Sequence, residues 1–151
     1  MKKEMKKSAW FFGILTILWI MVIFSFSLQT GEDSGGMSLA ILIKGLGAFF
    51  PNLVETMELE LWHLLLRKCA HFVEYFILGI LSFRTLRDIG WCRKEFVVIG
   101  FCVSVAIVDE TLQRFVSGRV GSVWDMLLDS IGALTGILIV YFISRRKKAG
   151  V

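Results

Sequence analysis

Four long apolar runs, separated by shorter polar segments, dominate the pattern of residues along this chain. The first run, residues 9–28, would form an α-helix about 30 Å long, which matches the hydrocarbon core of a bilayer. The other runs cover about residues 66–86, 96–113 and 125–143. The pattern predicts an all-α membrane protein with four transmembrane helices in a single domain over residues 1–151.

The segment between the first two runs has a different character. Residues 29–36 are polar and rich in turn formers, whereas residues 37–65 are largely apolar but contain Lys44, several glycines and Pro51. This composition suits a peptide that lies at the membrane surface better than one that crosses it. We therefore expect residues 37–65 to form an interfacial segment between the first and second transmembrane helices.

Composition and length both argue against a soluble domain or a cleaved leader. Hydrophobic residues make up 56% of the chain and the mean hydropathy is +0.70, above the roughly 45–50% of soluble domains. The first apolar run is longer than the roughly 7–15 residues of a signal peptide. It also ends without an A-x-A cleavage site, so a retained transmembrane helix is favoured over the signal-peptide alternative.

The basic residues indicate how the helices are oriented. If both termini are cytoplasmic, the outer segments hold five of the 17 basic residues and the inner segments hold the other 12. Cytoplasmic loops of membrane proteins are enriched in Lys and Arg, so both termini are predicted to be cytoplasmic. The basic clusters at the two ends flank apolar runs, where this bias already explains them, and no binding of nucleic acid is expected. The five outer residues are Lys44, Arg67, Lys68, Arg114 and Arg119.

Polar residues gather at the predicted outer end of the bundle. An ionisable side chain at membrane depth faces the protein interior or a wet cavity rather than lipid. Arg67, His71 and Glu74 are spaced by four and three residues and so share one helix face. The sequence therefore predicts a polar pocket that opens to the outer leaflet and is covered by residues 29–66. The candidates are Arg67, His71, Glu74, Asp109, Glu110, Gln113, Arg119, Ser122, Asp125 and Asp129.

The last apolar run carries aspartates and glycines on a common face. Asp125, Asp129, Gly132 and Gly136 recur at helical spacing. Glycines allow neighbouring membrane helices to approach closely, so this face is expected to point into the bundle. Gly79 on the second run is expected to have the same packing role.

Two segments resemble the VanZ-like family of small bacterial membrane proteins. The first is KCAHFVEYFILGIL, residues 68–81, and the second is DETLQRFVSGRVGSVWDMLLDSIGALTG, residues 109–136. They carry the patterns K-x-x-H-F-x-E-Y, D-E-x-x-Q, G-R and D-x-x-x-(N/D)-x-x-G in order, with a looser match in FSFSLQTGEDSG after the first run. Asp129 stands where the family pattern often has Asn. The resemblance implies a bacterial cell-membrane protein linked to the cell envelope and to teicoplanin resistance, but it brings no catalytic mechanism.

Two functions remain open from the sequence. In the first, the protein acts on or binds an anionic lipid-linked envelope component or a glycopeptide, in contact with membrane lipids. In the second, it is a non-catalytic binding or partner protein whose buried polar residues are structural. Interhelical polar contacts contribute under about 1 kcal/mol each, whereas burying a charge costs at least about 2.5–3.5 kcal/mol, which favours the first. The catalytic candidates are His71, Glu74, Asp109, Glu110 and Asp125, and the substrate-binding candidates are Arg67, Gln113, Arg119, Ser122 and Asp129.

The sequence gives little support for a cofactor. No H-E-x-x-H motif is present, so no cofactor is predicted. The alternative that stays open is a divalent metal held by His71 with Glu74, Asp109 and Asp125, which offer nitrogen and oxygen ligands.

Overall fold

The described part of the chain forms a bundle of four long helices. The computed structural model describes residues 7–31, 36, 44–45, 58–90 and 94–149, and within these ranges it contains no strand. The predicted all-α architecture is therefore confirmed for the described part of the chain. The helices are α1 (Lys7–Ser27), α2 (Leu59–Ile89), α3 (Lys94–Gln113) and α4 (Val123–Ala149).

The helix between residues 59 and 89 is longer than the second apolar run. Residues 59–65, which the sequence assigned to the interfacial segment, continue directly into the helix that carries His71. Most of the predicted interfacial segment, residues 37–43 and 46–57, lies outside the described residues. Helix α2 ends at Gly90, whose left-handed backbone (φ 80°) lets its N–H donate to the last carbonyls of the helix.

Two of the four helices have the length and composition of membrane spans. These are α1, Lys7–Ser27, and the greater part of α4, Val123–Arg146. Helices α2 and α3 carry Arg67, His71, Glu74, Asp109 and Glu110 of the predicted site. The structure thus supports a membrane protein, while the count of four spans and the orientation of the termini remain predictions.

Glycines bring α2 and α4 into close contact. A Cβ atom at Gly132 would overlap the backbone oxygen of Phe72, and one at Gly136 would overlap that of Phe76. Gly79 on α2 approaches the α4 backbone in the same way. The predicted packing face of α4 is therefore confirmed, because only residues without a side chain fit this separation.

Apolar side chains from all four helices fill the part of the bundle beyond these contacts. Tight packing of these residues fixes the relative positions of the helices, and therefore the positions of the polar side chains that they carry. The buried set comprises Ile23, Tyr75, Leu78, Phe83, Val98, Cys102, Val105, Ala106, Ala133, Ile137 and Val140.

The α2–α4 contact predicts that two glycine substitutions will differ in their effect on the free energy of unfolding. Gly132→Ala should lower the free energy of unfolding by about 1–3 kcal/mol, because overpacking forces the helices apart. Gly100→Ala is the matched control, since a Cβ there would meet no atom of the described residues within 4 Å. It should leave stability unchanged or raise it by up to about 1 kcal/mol. Thermal unfolding in one detergent measures both, and equal loss in the two variants would contradict the packing role.

Candidate functional site

Polar side chains from three helices are buried together where α3 ends and α4 begins. All of them were predicted site residues, and the structure shows that they converge, while their role in a functional site stays a prediction. The five residues are His71 on α2, Asp109, Glu110 and Gln113 on α3, and Asp129 on α4, and none of them is more than 5% exposed. We call them the polar cluster.

His71 and Asp129 connect α2 to α4. Nδ1 of His71 lies 3.2 Å from Oδ1 of Asp129, and both side chains are buried. Within the described residues, the other carboxylate oxygen of Asp129, Oδ2, has no hydrogen-bond partner. Buried polar atoms are nearly always paired, so this oxygen is a buried acceptor that still needs a hydrogen-bond donor or another partner.

The two α3 carboxylates are held by donors from other elements. The Ser27 hydroxyl, at the end of α1, donates to Oδ1 of Asp109 over 2.5 Å. The backbone N–H of Ser122 donates to Oε2 of Glu110 over 2.7 Å. Nε2 of Gln113 lies 3.3 Å from Asp109 Oδ2 and 3.4 Å from Glu110 Oε1, so it joins the two acids. The cluster is therefore tied to α1 and to the loop before α4.

Asp125 lies apart from the polar cluster in an ion pair. Its carboxylate contacts Nη2 of Arg67 at 3.3 Å and also contacts the ammonium group of Lys68. Asp125 is fully buried, whereas the two basic side chains are each about one-third exposed (31% and 33%). Asp125 therefore pairs with two cations at the edge of the bundle and does not pair with His71.

Arg119 lies in the loop between α3 and α4 and is partly buried. Burial and then the positive charge of Arg67 lower the pKa of Arg119, and the charges of Asp109, Glu74 and Glu110 act in the opposite direction. The guanidinium groups of Arg67 and Arg119 are therefore close enough to repel each other. Together with Lys68 they form what we call the cationic rim.

Glu74 lies beside the polar cluster without belonging to its buried core. Its side chain is only partly buried and interacts electrostatically with His71, Asp109, Asp129 and Arg119. The predicted face of α2 is thus confirmed as the face that turns to α3 and α4.

Four further residues contribute to the site although the sequence gave them no role. Ser27 bonds Asp109, Lys68 pairs with Asp125, and the Trp19 indole donates to the backbone oxygen of Glu74 over 2.8 Å. Tyr75 is fully buried and lies close enough to Asp109 and Asp129 to interact with their charges. Its hydroxyl has no hydrogen-bond partner in the described part of the chain. Lys68 and Tyr75 are the first and last positions of the K-x-x-H-F-x-E-Y pattern, and Ser27 falls in the segment that loosely matched the family pattern, so the resemblance marked these three residues without giving them a role.

The cluster has the donor atoms of a metal site. Each of four residues offers one ligand atom, and these atoms lie within 4.8 Å of one another. The sequence-based alternative shared two of them but named Glu74 and Asp125 in place of the others. The four are His71, Asp109, Glu110 and Asp129.

The cavity seen between the helices does not coincide with the polar cluster. It has a volume of about 270 Å³ and is lined by Thr16, Ser82, Thr85 and Val98, among others. Thr16 lies on α1, and Ser82, Thr85 and Val98 lie towards the other end of α2 and α3. The predicted pocket open to the outer leaflet therefore remains a prediction, since the polar side chains pack against one another.

Comparison with known proteins gives one match. A family model described as VanZ/LLP1 matches residues 12–144, a range that includes the polar cluster and the cationic rim. No curated protein and no solved structure matches the chain.

The Ser27–Asp109 bond can be tested with a neighbouring serine as the control. Ser27→Ala should lower the free energy of unfolding by about 1 kcal/mol, because it removes a buried donor to a carboxylate between two helices. Ser25 is exposed and bonds only the carbonyl of Val22 in its own helix, so Ser25→Ala should change stability by less than about 0.5 kcal/mol. Denaturation in detergent compares the two, and an equal effect would show that the Asp109 contact contributes nothing.

Proposed function

Since the chain belongs to the VanZ/LLP1 family, we propose that it is a four-span protein of the bacterial cell membrane. Its proposed function is to bind an anionic lipid-linked component of the cell envelope at the cationic rim. The family context of glycopeptide tolerance fits this role, because a protein that binds an envelope lipid changes the envelope components that are accessible to an envelope-directed antibiotic.

The surfaces of α2 and α3 support the proposed four spans. Helix α3 has 20 residues, or about 30 Å, and α2 is longer. The outward side of α3 carries the exposed apolar residues Phe96, Phe101, Ile107 and Val108, whereas Asp109 and Glu110 are buried. Apolar residues outside and polar residues inside are what a helix needs if it crosses a bilayer within a bundle.

The observation that carries the proposed binding is the group of partly exposed cations on the rim: Arg67 and Lys68 share one carboxylate, and the positive charge of Arg67 lowers the pKa of Arg119. An anion bound there would offset that repulsion. Guanidinium groups bind phosphate oxygens with two parallel hydrogen bonds. Arg67 uses Nη2 for Asp125, and no described residue bonds its buried Nε. Lys68 adds a further positive charge beside them.

The arrangement favours binding over catalysis. A general acid or base must come within hydrogen-bond reach of the reacting group. His71 and the acids of the polar cluster are buried, whereas the rim side chains are partly exposed. A ligand on the rim would therefore meet Arg67, Lys68 and Arg119 before it met His71.

The rim predicts a selective loss of lipid affinity. Arg119→Gln should weaken binding of a polyprenyl phosphate, measured in detergent micelles, by at least about tenfold, or about 1.4 kcal/mol. The control is Arg145→Gln, which removes the same charge at the other end of the bundle, where Arg145 lies over the Tyr141 ring.

Three outcomes decide this test. Loss of affinity in Arg119→Gln alone supports the rim. Unchanged affinity in Arg119→Gln contradicts it. Equal losses in both variants would also contradict it, because they would show attraction by overall charge and not a site.

A further inference from the structure

We infer that the polar cluster is a divalent metal site with His71, Asp109, Glu110 and Asp129 as ligands. The site is separate from the cationic rim, and the inference does not depend on which lipid the rim binds. It assigns a function to side chains that lipid binding leaves unexplained.

The distances fit an ion at the centre of the four donors. With bonds of about 2.1 Å, neighbouring ligands of one ion lie about 3.0–3.4 Å apart and opposite ligands about 4.2 Å apart. Nδ1 of His71 and Oδ1 of Asp129 are 3.2 Å apart, and all four donor atoms fall within 4.8 Å. The limit of 4.8 Å is about 0.6 Å more than the separation of opposite ligands, so the donors would move together on binding an ion.

The negative charge of the polar cluster also favours a bound cation. Asp109, Glu110 and Asp129 place three carboxyl groups around one imidazole in a buried volume. The basic side chains of Arg67 and Lys68 on α2 contact Asp125 instead. Burying several carboxylates without a compensating cation is strongly unfavourable. A divalent ion would reduce the charge of the three carboxylates to −1.

Unpartnered buried atoms are the second and independent observation. Oδ2 of Asp129, Oε1 of Gln113 and the hydroxyl of Tyr75 are buried, and none of them meets a hydrogen-bond partner in the ranges that the structure describes. All three residues are fully buried. Six other buried atoms of the described residues also lack a hydrogen-bond partner, but these three belong to the polar cluster or adjoin it. An ion or ordered water at a site is a known reason for such orphaned atoms. A metal with bound water would satisfy Asp129 directly and give the other two a water to bond.

The remaining contacts resemble the supporting shell of a metal site. The non-ligating oxygens of metal-bound carboxylates are usually held by neighbouring donors, which fix their orientation. Here a serine hydroxyl from α1 holds Asp109, the Ser122 N–H holds Glu110, and the amide of Gln113 bridges these two acids. The donors come from α1 and from the loop before α4, so the whole bundle would position the ligands.

The donor types indicate which ions to expect. Three carboxylates and one imidazole form a hard set with one nitrogen, and no cysteine is among them. Carboxylates suit Mn²⁺, Mg²⁺ and Ca²⁺, while imidazole suits Zn²⁺ and Fe²⁺. The mixed set favours a first-row divalent ion, and Mn²⁺ and Zn²⁺ are the appropriate probes.

Metal binding can be measured on the full-length protein in detergent. After treatment with a chelator, the wild type should bind one Mn²⁺ or one Zn²⁺ per chain and unfold at a higher temperature with the ion than without it. Asp129→Asn should lose at least tenfold in affinity. Asp88→Asn is the charge-matched control, because Asp88 pairs with Arg87 at the other end of α2, and it should bind as the wild type does.

The two histidines of the chain give a test that does not depend on loss of affinity. Pulsed electron paramagnetic resonance of bound Mn²⁺ should show the nitrogen coupling of one imidazole. The coupling should disappear in His71→Gln and persist in His63→Gln, since His63 lies two turns before His71 on the same helix. Circular dichroism and elution volume confirm that each variant is folded.

The outcomes separate this inference from the proposed lipid binding. A wild type that binds neither ion, or an Asp129→Asn variant that binds as well as Asp88→Asn, overturns the metal site. A nitrogen signal that survives in His71→Gln does so as well. Arg119→Gln should keep its metal affinity within about threefold, because its side chain is not a ligand. An Arg119→Gln variant that loses lipid binding but still binds the metal would therefore be consistent with the metal site.

Discussion

Burial of several carboxylates at one level of a hydrophobic bundle is the constraint on which the rest of this structure depends. Each acid would be strongly unfavourable in lipid, so each needs a neighbour that offsets its charge or fills its hydrogen-bonding capacity. The chain meets this need with contacts between elements that are distant in sequence. Ser27 bonds Asp109, His71 pairs with Asp129, and the loop N–H of Ser122 bonds Glu110. All four helices are linked through the polar cluster.

Close packing makes this arrangement geometrically possible. His71 and Asp129 meet only because α2 and α4 approach to backbone contact just beyond them, where Gly132 and Gly136 face carbonyl oxygens of α2. Larger residues would move the helices apart and open the gap between imidazole and carboxylate. The small-residue face of α4 and its acidic face are therefore one continuous surface, which serves packing at one end and polar contacts at the other.

The acids of the bundle divide into two groups with different surroundings. Asp125 is neutralised by Arg67 and Lys68 at the edge, where basic side chains remain partly exposed. The acids of the polar cluster lie deeper and face a single imidazole, with unpartnered oxygens between them. This division is the physical basis for assigning an anionic ligand to the cationic rim and a cation to the polar cluster. The basic side chains of the rim attract anions, whereas the carboxylates of the cluster attract cations.

The sequence by itself determined the all-helical architecture and put forward the side chains that converge in the polar cluster, but it gave no role to Ser27, Lys68, Trp19 and Tyr75. Apolar runs and helical spacing are local properties, so they predicted that His71 and Glu74 share a face and that Asp129 and Gly132 point inward. Which acid pairs with which base depends on the rotation and separation of helices, and no local pattern contains that information. Only the tertiary structure placed Asp125 with Arg67 and Lys68, brought Glu110 and Asp129 to His71 in place of Glu74 and Asp125, and recruited Ser27 from the end of α1. The glycine-mediated approach of α2 and α4 decided the pairs between these two helices, because it fixes which of their side chains come within bonding distance.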